Sequence, residues 1–201
     1  MKAKKLLRIL ARFLPVLYIL AAAGCEKRSP LELEYDAFDQ RPGKGWRQLA
    51  ENGKFLDAAR LIDQYIENHK NLDESQRVNL NFHAGQMYAF ADDYRTAVDR
   101  FNVSTCAAEP SALPIRWNAY VRATIAFLNK DMKHLEECRK EILEGPTFDG
   151  GKANLDVVDR LIKCFDRPYA EAYRGGGIKG EVAGPREVED AKKRLAGLKG
   201  S

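Results

Sequence analysis

Apolar residues return at helical spacing in one segment of this chain after another. From Phe55 to Asn68, residues Phe55, Ala58, Ala59, Ile62, Tyr65 and Ile66 share one face, the pattern of a helix half-sunk in a core. Tyr94, Ala97, Val98 and Phe101 repeat it in a segment expected to run to about Thr105. Met132 to Glu144 reads as a further helix, stopped by Gly145-Pro146. A shorter one, Lys44 to Glu51, turns Trp46 and Leu49 inward. Asp73 with Gln76 three residues on has the spacing of a capping box and predicts where a third helix opens. Within it Ala84, Gly85 and Tyr88 share a face, and Gly85 is small enough for another helix to come close. Ser111, inside Pro110-Ser111-Ala112-Leu113-Pro114, is the expected cap of a helix ending at Leu128. Asn154 is the expected cap of a last helix over 154–166, with Leu155, Val158, Leu161, Ile162 and Phe165 as its stripe. The predicted fold class is all-α.

The pattern also repeats at longer range. Ala91-Asp92-Asp93-Tyr94, with Ala97 three residues further, is echoed upstream by Asn52-Gly53-Lys54-Phe55 with Ala58. Downstream, Lys130-Asp131-Met132 with Leu135 echoes it again. Around the central copy stand Asn81, Ala84, Gly85, Tyr88, Ala97 and Phe101, with Pro110 one residue late. This stretch resembles a tetratricopeptide (TPR) repeat, although Asn81 replaces the large residue usual at the first site. The alternative is a generic helical bundle. The resemblance implies a short TPR-like α-α superhelix of about three helical hairpins plus a C-terminal capping helix. It also implies a concave, partner-binding groove lined by the first helix of each repeat. Transferred residue by residue, that geometry places Arg47, Asn79, Phe82, Gln86, Trp117, Tyr120 and Thr124 at the groove. The competing expectation is that Phe82, Trp117 and Tyr120 pack between helices. Phe82 and Gln86 stand where carboxylate-clamping TPR domains carry Lys and Asn, which favours an extended or helical protein segment as the partner.

Residues 1–24 read as a leader rather than as part of the fold. Lys2, Lys4, Lys5, Arg8 and Arg12 precede an apolar run from Phe13 to Ala23, and the stretch ends Leu20-Ala21-Ala22-Ala23-Gly24-Cys25. That ending is similar to the lipobox of bacterial lipoproteins, in which the cysteine is acylated and becomes the new N-terminus. An ordinary secretory signal cleaved nearby is the alternative. Acylation at Cys25 would give a permanent membrane anchor, since two chains already suffice for one. Glu26, rather than aspartate, follows and points to the outer membrane. The expected organisation is a signal peptide over 1–24, a tether over 25–43, a helical domain over 44–173 and a glycine-rich flexible tail over 174–201; the alternation of Leu31, Leu33 and Tyr35 leaves open whether the tether is a solvated linker or a short extended segment laid against the helices.

Removing the leader changes the charge. The chain carries 33 basic and 29 acidic residues; losing five basic ones leaves 28 against 29, a net charge of −1. A basic field that would recruit nucleic acid is therefore not expected.

Catalytic signatures are weak. Gly175, Gly177 and Gly180 match the spacing of a dinucleotide fingerprint but lack a preceding strand. His134 and Cys138 stand at i and i+4 and supply two ligands at most, short of a closed metal site, and no orienting group marks them as a nucleophile and base. No cofactor or metal is expected, and the chain is not expected to be an enzyme. Cys106, Cys138 and Cys164 remain besides Cys25; Cys138 with Cys164 is the expected disulfide if one forms, and buried free thiols are the alternative. The expected function is that of a lipid-anchored envelope protein, facing the periplasm from the outer membrane, whose TPR-like domain binds protein partners as a scaffold or assembly factor. A self-associating structural lipoprotein without a client groove is the second reading.

Overall fold

The computed structural model describes residues 29–107, 109, 115–147 and 150–175, and no β-strand occurs among them. The fold is all-α. Among the described residues eight α-helices follow residues 29–46: α1 (Arg47–Glu51), α2 (Phe55–Asn68), α3 (Glu74–Phe90), α4 (Tyr94–Asn102), α5 (Trp117–Leu128), α6 (Met132–Glu144), α7 (Leu155–Lys163) and α8 (Tyr169–Arg174). Sequence neighbours from α1 to α8 pack on one another, and α8 returns to α3. No helix among the described residues is long and apolar enough to cross a membrane. Cys25 and residues 176–201 lie outside the described residues, as do Gly177 and Gly180.

Three hairpins, α1–α2, α3–α4 and α5–α6, are closed by the same turn. Each first helix ends in a residue with left-handed backbone: Gly53 (φ 73°), Asp92 (φ 61°) and Lys130 (φ 58°). In each, the following N–H reaches back five residues to a helix carbonyl. Lys54 donates to Leu49 at 3.0 Å, Asp93 to Tyr88 at 3.0 Å and Asp131 to Ala126 at 2.8 Å. This is the Schellman closure, which satisfies carbonyls that the helix end would otherwise orphan. Asp93 and Asp131 then cap the next helix, accepting from the N–H of Thr96 and His134; Lys54 has no acceptor to offer. Five residues after the left-handed position, Ala58, Ala97 and Leu135 are each fully buried.

Helix α3 is the centre. Asp73 and Gln76 form the capping box at its start, with bonds of 2.8 and 3.1 Å. Every residue from Leu80 to Phe90 is buried, so this helix has neighbours on all sides rather than one wet face. Gly85 makes part of that enclosure possible, because a β-carbon there would stand 2.9 Å from the ring of Phe101 on α4.

The segment expected as a tether is folded where it is described. It makes a 3₁₀ turn at Pro30–Glu32 and a π-helical turn at Asp36–Gln40, and Phe38 and Asp39 are fully buried. Phe38 stacks on Tyr65 at 3.7 Å, and the Tyr65 hydroxyl donates to the Leu33 carbonyl at 2.8 Å. Residues 29–43 are a strap laid over the helices. Gly45 holds it close: a β-carbon there would lie 2.1 Å from the Phe38 carbonyl oxygen, and its φ of +52° favours glycine.

Several boundaries differ from expectation. Helix α1 begins at Arg47 rather than Lys44, α4 ends at Asn102 rather than about Thr105, and α7 ends at Lys163 rather than at residue 166. Helix α5 begins at Trp117, with Ser111 outside the described residues. Asn154 occupies the N-cap position of α7 but takes left-handed backbone (φ 62°), and its side chain caps nothing. The chain also does not finish with α7. Pro168 allows a sharp turn into α8, which Gly175 ends in left-handed backbone.

Candidate functional site

On α3, Asn79, His83, Gln86 and Phe90 recur at i, i+4, i+7 and i+11 and so share one stripe along the helix. Asn79 and Gln86 of this stripe are among the residues expected at a groove. The chain itself covers the stripe, the strap over the first half and α8 over the second.

The strap half is polar. The Asn79 amide donates to the Tyr35 hydroxyl at 3.3 Å. Asp39 Oδ1 lies 2.8 Å from His83 Nδ1 and accepts from Trp46 Nε1 at 2.9 Å. Its Oδ2 accepts from the Gln40 amide, and its backbone carbonyl from Arg47. Burial pushes the Asp39 carboxyl up, but His83, Arg47 and Trp46 outweigh burial and hold it at about 2. It is therefore ionised at neutral pH, so His83 Nδ1 carries the proton between them. The guanidinium of Arg47 also sits 4.4 Å over the Trp46 ring.

The α8 half is aromatic. Tyr169 and Tyr173 lie 5.4 and 5.5 Å from the Phe90 ring, and Tyr169 also meets Phe127 at 6.0 Å. Arg174 stands over the rings of Phe90 and Phe55. The Tyr169 N–H donates to the Tyr94 hydroxyl at 3.0 Å, and Arg160 holds the Tyr173 carbonyl at 3.1 Å. Burial raises the Tyr120, Tyr169 and Tyr173 hydroxyls, which keeps them protonated, and Gln86 faces Tyr169 and Tyr173. Tyr169 Oη is fully enclosed, with Gln86 as the polar side chain that faces it.

The seven expected groove residues are therefore mostly not open to a partner. Phe82, Gln86, Trp117, Tyr120 and Thr124 are buried, and Arg47 and Asn79 are half-buried under the strap. Phe82 packs among Phe101, Trp117 and Tyr120 at 4.7–5.4 Å. Trp117 Nε1 donates to the Ser104 carbonyl, and the Thr124 hydroxyl to the Tyr120 carbonyl. These side chains glue α3, α4 and α5 together. Asp39 and α8 were missed as contributors. The signal was Asn79, His83 and Gln86 on one face of the helix, because buried polar groups require partners.

The expected disulfide is absent: Cys106, Cys138 and Cys164 are free thiols. Helices α6 and α7 do pack together, but Cys138 points to His134, whose Nε2 is 3.8 Å away. Burial raises the Cys138 thiol despite the opposing charge of Arg122, which suits a packing residue and not a nucleophile. No group of three metal-ligating side chains occurs among the described residues. No protein-family model, curated protein or solved structure matches this chain.

Proposed function

We propose that the protein is a lipid-anchored module of the bacterial cell envelope, without catalytic activity, whose TPR-like hairpins bind a protein partner. The observation that carries the TPR-like part is the turn repeated at Gly53, Asp92 and Lys130, with the same backbone bond each time. Repeated hairpins stacked on their neighbours are the construction of binding solenoids. The anchor rests on Leu20-Ala21-Ala22-Ala23-Gly24-Cys25.

Packing of the strap sharpens the anchored picture. With Pro30 already in a turn, only residues 26–29 link Cys25 to the folded unit, a reach of at most about 18 Å over five residue steps. The domain would sit against the bilayer and not swing from a long tether, which confines a partner to the membrane surface and raises its effective concentration there. Glu26 favours the outer membrane, with the domain in the periplasm.

Labelling with palmitate tests the anchor. Wild type should incorporate label and partition into detergent, and Cys25→Ser should do neither; labelling of the variant would remove Cys25 from the account. Capture from detergent extracts tests recruitment, with a partner retained by the wild type and depleted with Cys25→Ser, whereas a chain that captures only itself supports the self-associating scaffold.

A further inference from the structure

We propose that Asn52 is a site of spontaneous deamidation, and that the turn between α1 and α2 is the gate that holds the reaction back in the folded protein. Neither the anchor nor a partner is involved, so the site stands apart from the function proposed above.

Asn52-Gly53 is the one Asn-Gly pair in the sequence, and both residues are exposed. The pair sets a nucleophile beside an electrophile. The Gly53 backbone nitrogen, its proton lost to hydroxide, attacks the side-chain amide carbon Cγ of Asn52. The bond from Cγ to the side-chain nitrogen breaks, and that nitrogen takes a proton from water and leaves as ammonia. The product is a cyclic imide, a succinimide, which water opens at either carbonyl to leave aspartate or isoaspartate. Overall one water is consumed and one ammonia released, with no change of oxidation state. Glycine suits the attacking position because no side chain crowds its nitrogen. Nothing stands within 4 Å of a β-carbon built at Gly53, so the rest of the chain does not shield the pair.

Only the conformation of the turn opposes the attack. Asn52 has ψ 10°, which turns the Gly53 nitrogen away from the Asn52 Cβ, whereas ring closure needs the two eclipsed. The Gly53 N–H donates to the Ala50 carbonyl at 2.9 Å, and the Lys54 N–H to Leu49 at 3.0 Å. The Asn52 amide donates to the Gln48 carbonyl at 2.7 Å, which holds the electrophile back along α1. Rotating the Asn52–Gly53 peptide into reach breaks this closure, so the reaction runs only through molecules whose turn has opened. Either product then adds negative charge at the C-terminal end of α1, where the helix dipole disfavours it. Isoaspartate also lengthens the backbone inside the turn.

The third hairpin supplies an internal comparison. Asn129 holds the equivalent place, with ψ 0° and a left-handed residue after it. That residue is Lys130, whose side chain crowds the attacking nitrogen.

The test incubates the purified full chain and a synthetic peptide copying residues 47–57 at pH 9. Mass spectrometry follows the tryptic fragments 48–54 and 123–130, which carry Asn52 and Asn129. Asn52 should deamidate at least tenfold faster in the peptide than in the native chain. In urea that unfolds the protein, Asn52 of the full chain should reach the peptide's rate, and Asn129 in the same sample should react at least tenfold more slowly. A native rate within tenfold of the peptide's would overturn the proposal, because the turn would then be no gate. An Asn52 unchanged in both the peptide and the unfolded chain would overturn it as well. Asn52→Ala should abolish conversion in fragment 48–54; conversion that persists, from Gln48, would also overturn it.

Discussion

Asp39 Oδ1 and His83 Nδ1 meet at 2.8 Å across 44 residues of chain, inside a core where the carboxylate has no access to water. The pair joins the strap to the central helix and fixes the tautomer of the imidazole. A buried carboxylate is weak evidence for net stability, but removing a partner from it is costly.

The first prediction follows from that carboxylate. Its folded value of about 2 lies below its ordinary 3.8. A depressed carboxyl contributes stability that is fully present above about pH 4 and is lost as pH falls through 2. The difference amounts to about 2 kcal/mol. Urea denaturation at pH 6 and pH 2.5 should show the decline in wild type. Asp39→Ala should lower stability at pH 6 by about 3–5 kcal/mol, leaving His83 and Trp46 unpaired, and should reduce the acid-dependent loss.

The contact between Gly85 and Phe101 gives a steric prediction. A methyl at position 85 would sit 2.9 Å from the Phe101 ring. Gly85→Ala should destabilise by about 1–3 kcal/mol through overpacking, read as a lowered denaturation midpoint with unchanged m. Phe101→Leu in the Gly85→Ala background should cost less than Phe101→Leu alone, because the smaller side chain yields space to the methyl.

Gly53 tests the repeated turn by a different route. Nothing lies within 4 Å of a β-carbon built there, so only its backbone, at φ +73°, is at issue. Gly53→Ala should cost about 1 kcal/mol, while Gly53→Asn should cost less, since Asn tolerates left-handed backbone. Equal costs would point to some constraint other than backbone conformation.

Thiol chemistry checks the unbridged cysteines. Reductant should leave the thermal midpoint unchanged. In native protein the half-buried Cys106 and Cys164 should react with a thiol reagent before the buried Cys138.

Much of the architecture was legible in residue order. The bounds of α2 and α6 and the capping box at Asp73 emerge at the expected positions, because periodicity, a side-chain cap and a Gly-Pro stop are local signals. Helix α8 was not legible, and the strap only as one of two readings of its alternation. The strap carries Phe38 and Asp39 next to each other in a polar, mildly alternating stretch, and only Trp46 and His83, far along the chain, explain a buried aspartate there. Helix α8 is too short for its period to show, and its stripe of Tyr169, Ala172 and Tyr173 has meaning only against Phe90 and Gln86. Five of the seven expected groove residues are buried, since no local rule says that the segments 29–43 and 169–174 will fold back over the middle helix.

The most direct test of that folding-back is a NOESY spectrum of the protein with selectively protonated aromatic rings. Cross-peaks are predicted between Tyr173 and Phe90, whose rings lie 5.5 Å apart, and between Phe38 and Tyr65, stacked at 3.7 Å. Their absence, with those between Phe82 and Trp117 preserved, would mean that the α3 stripe stands open and that neither the strap nor α8 covers it.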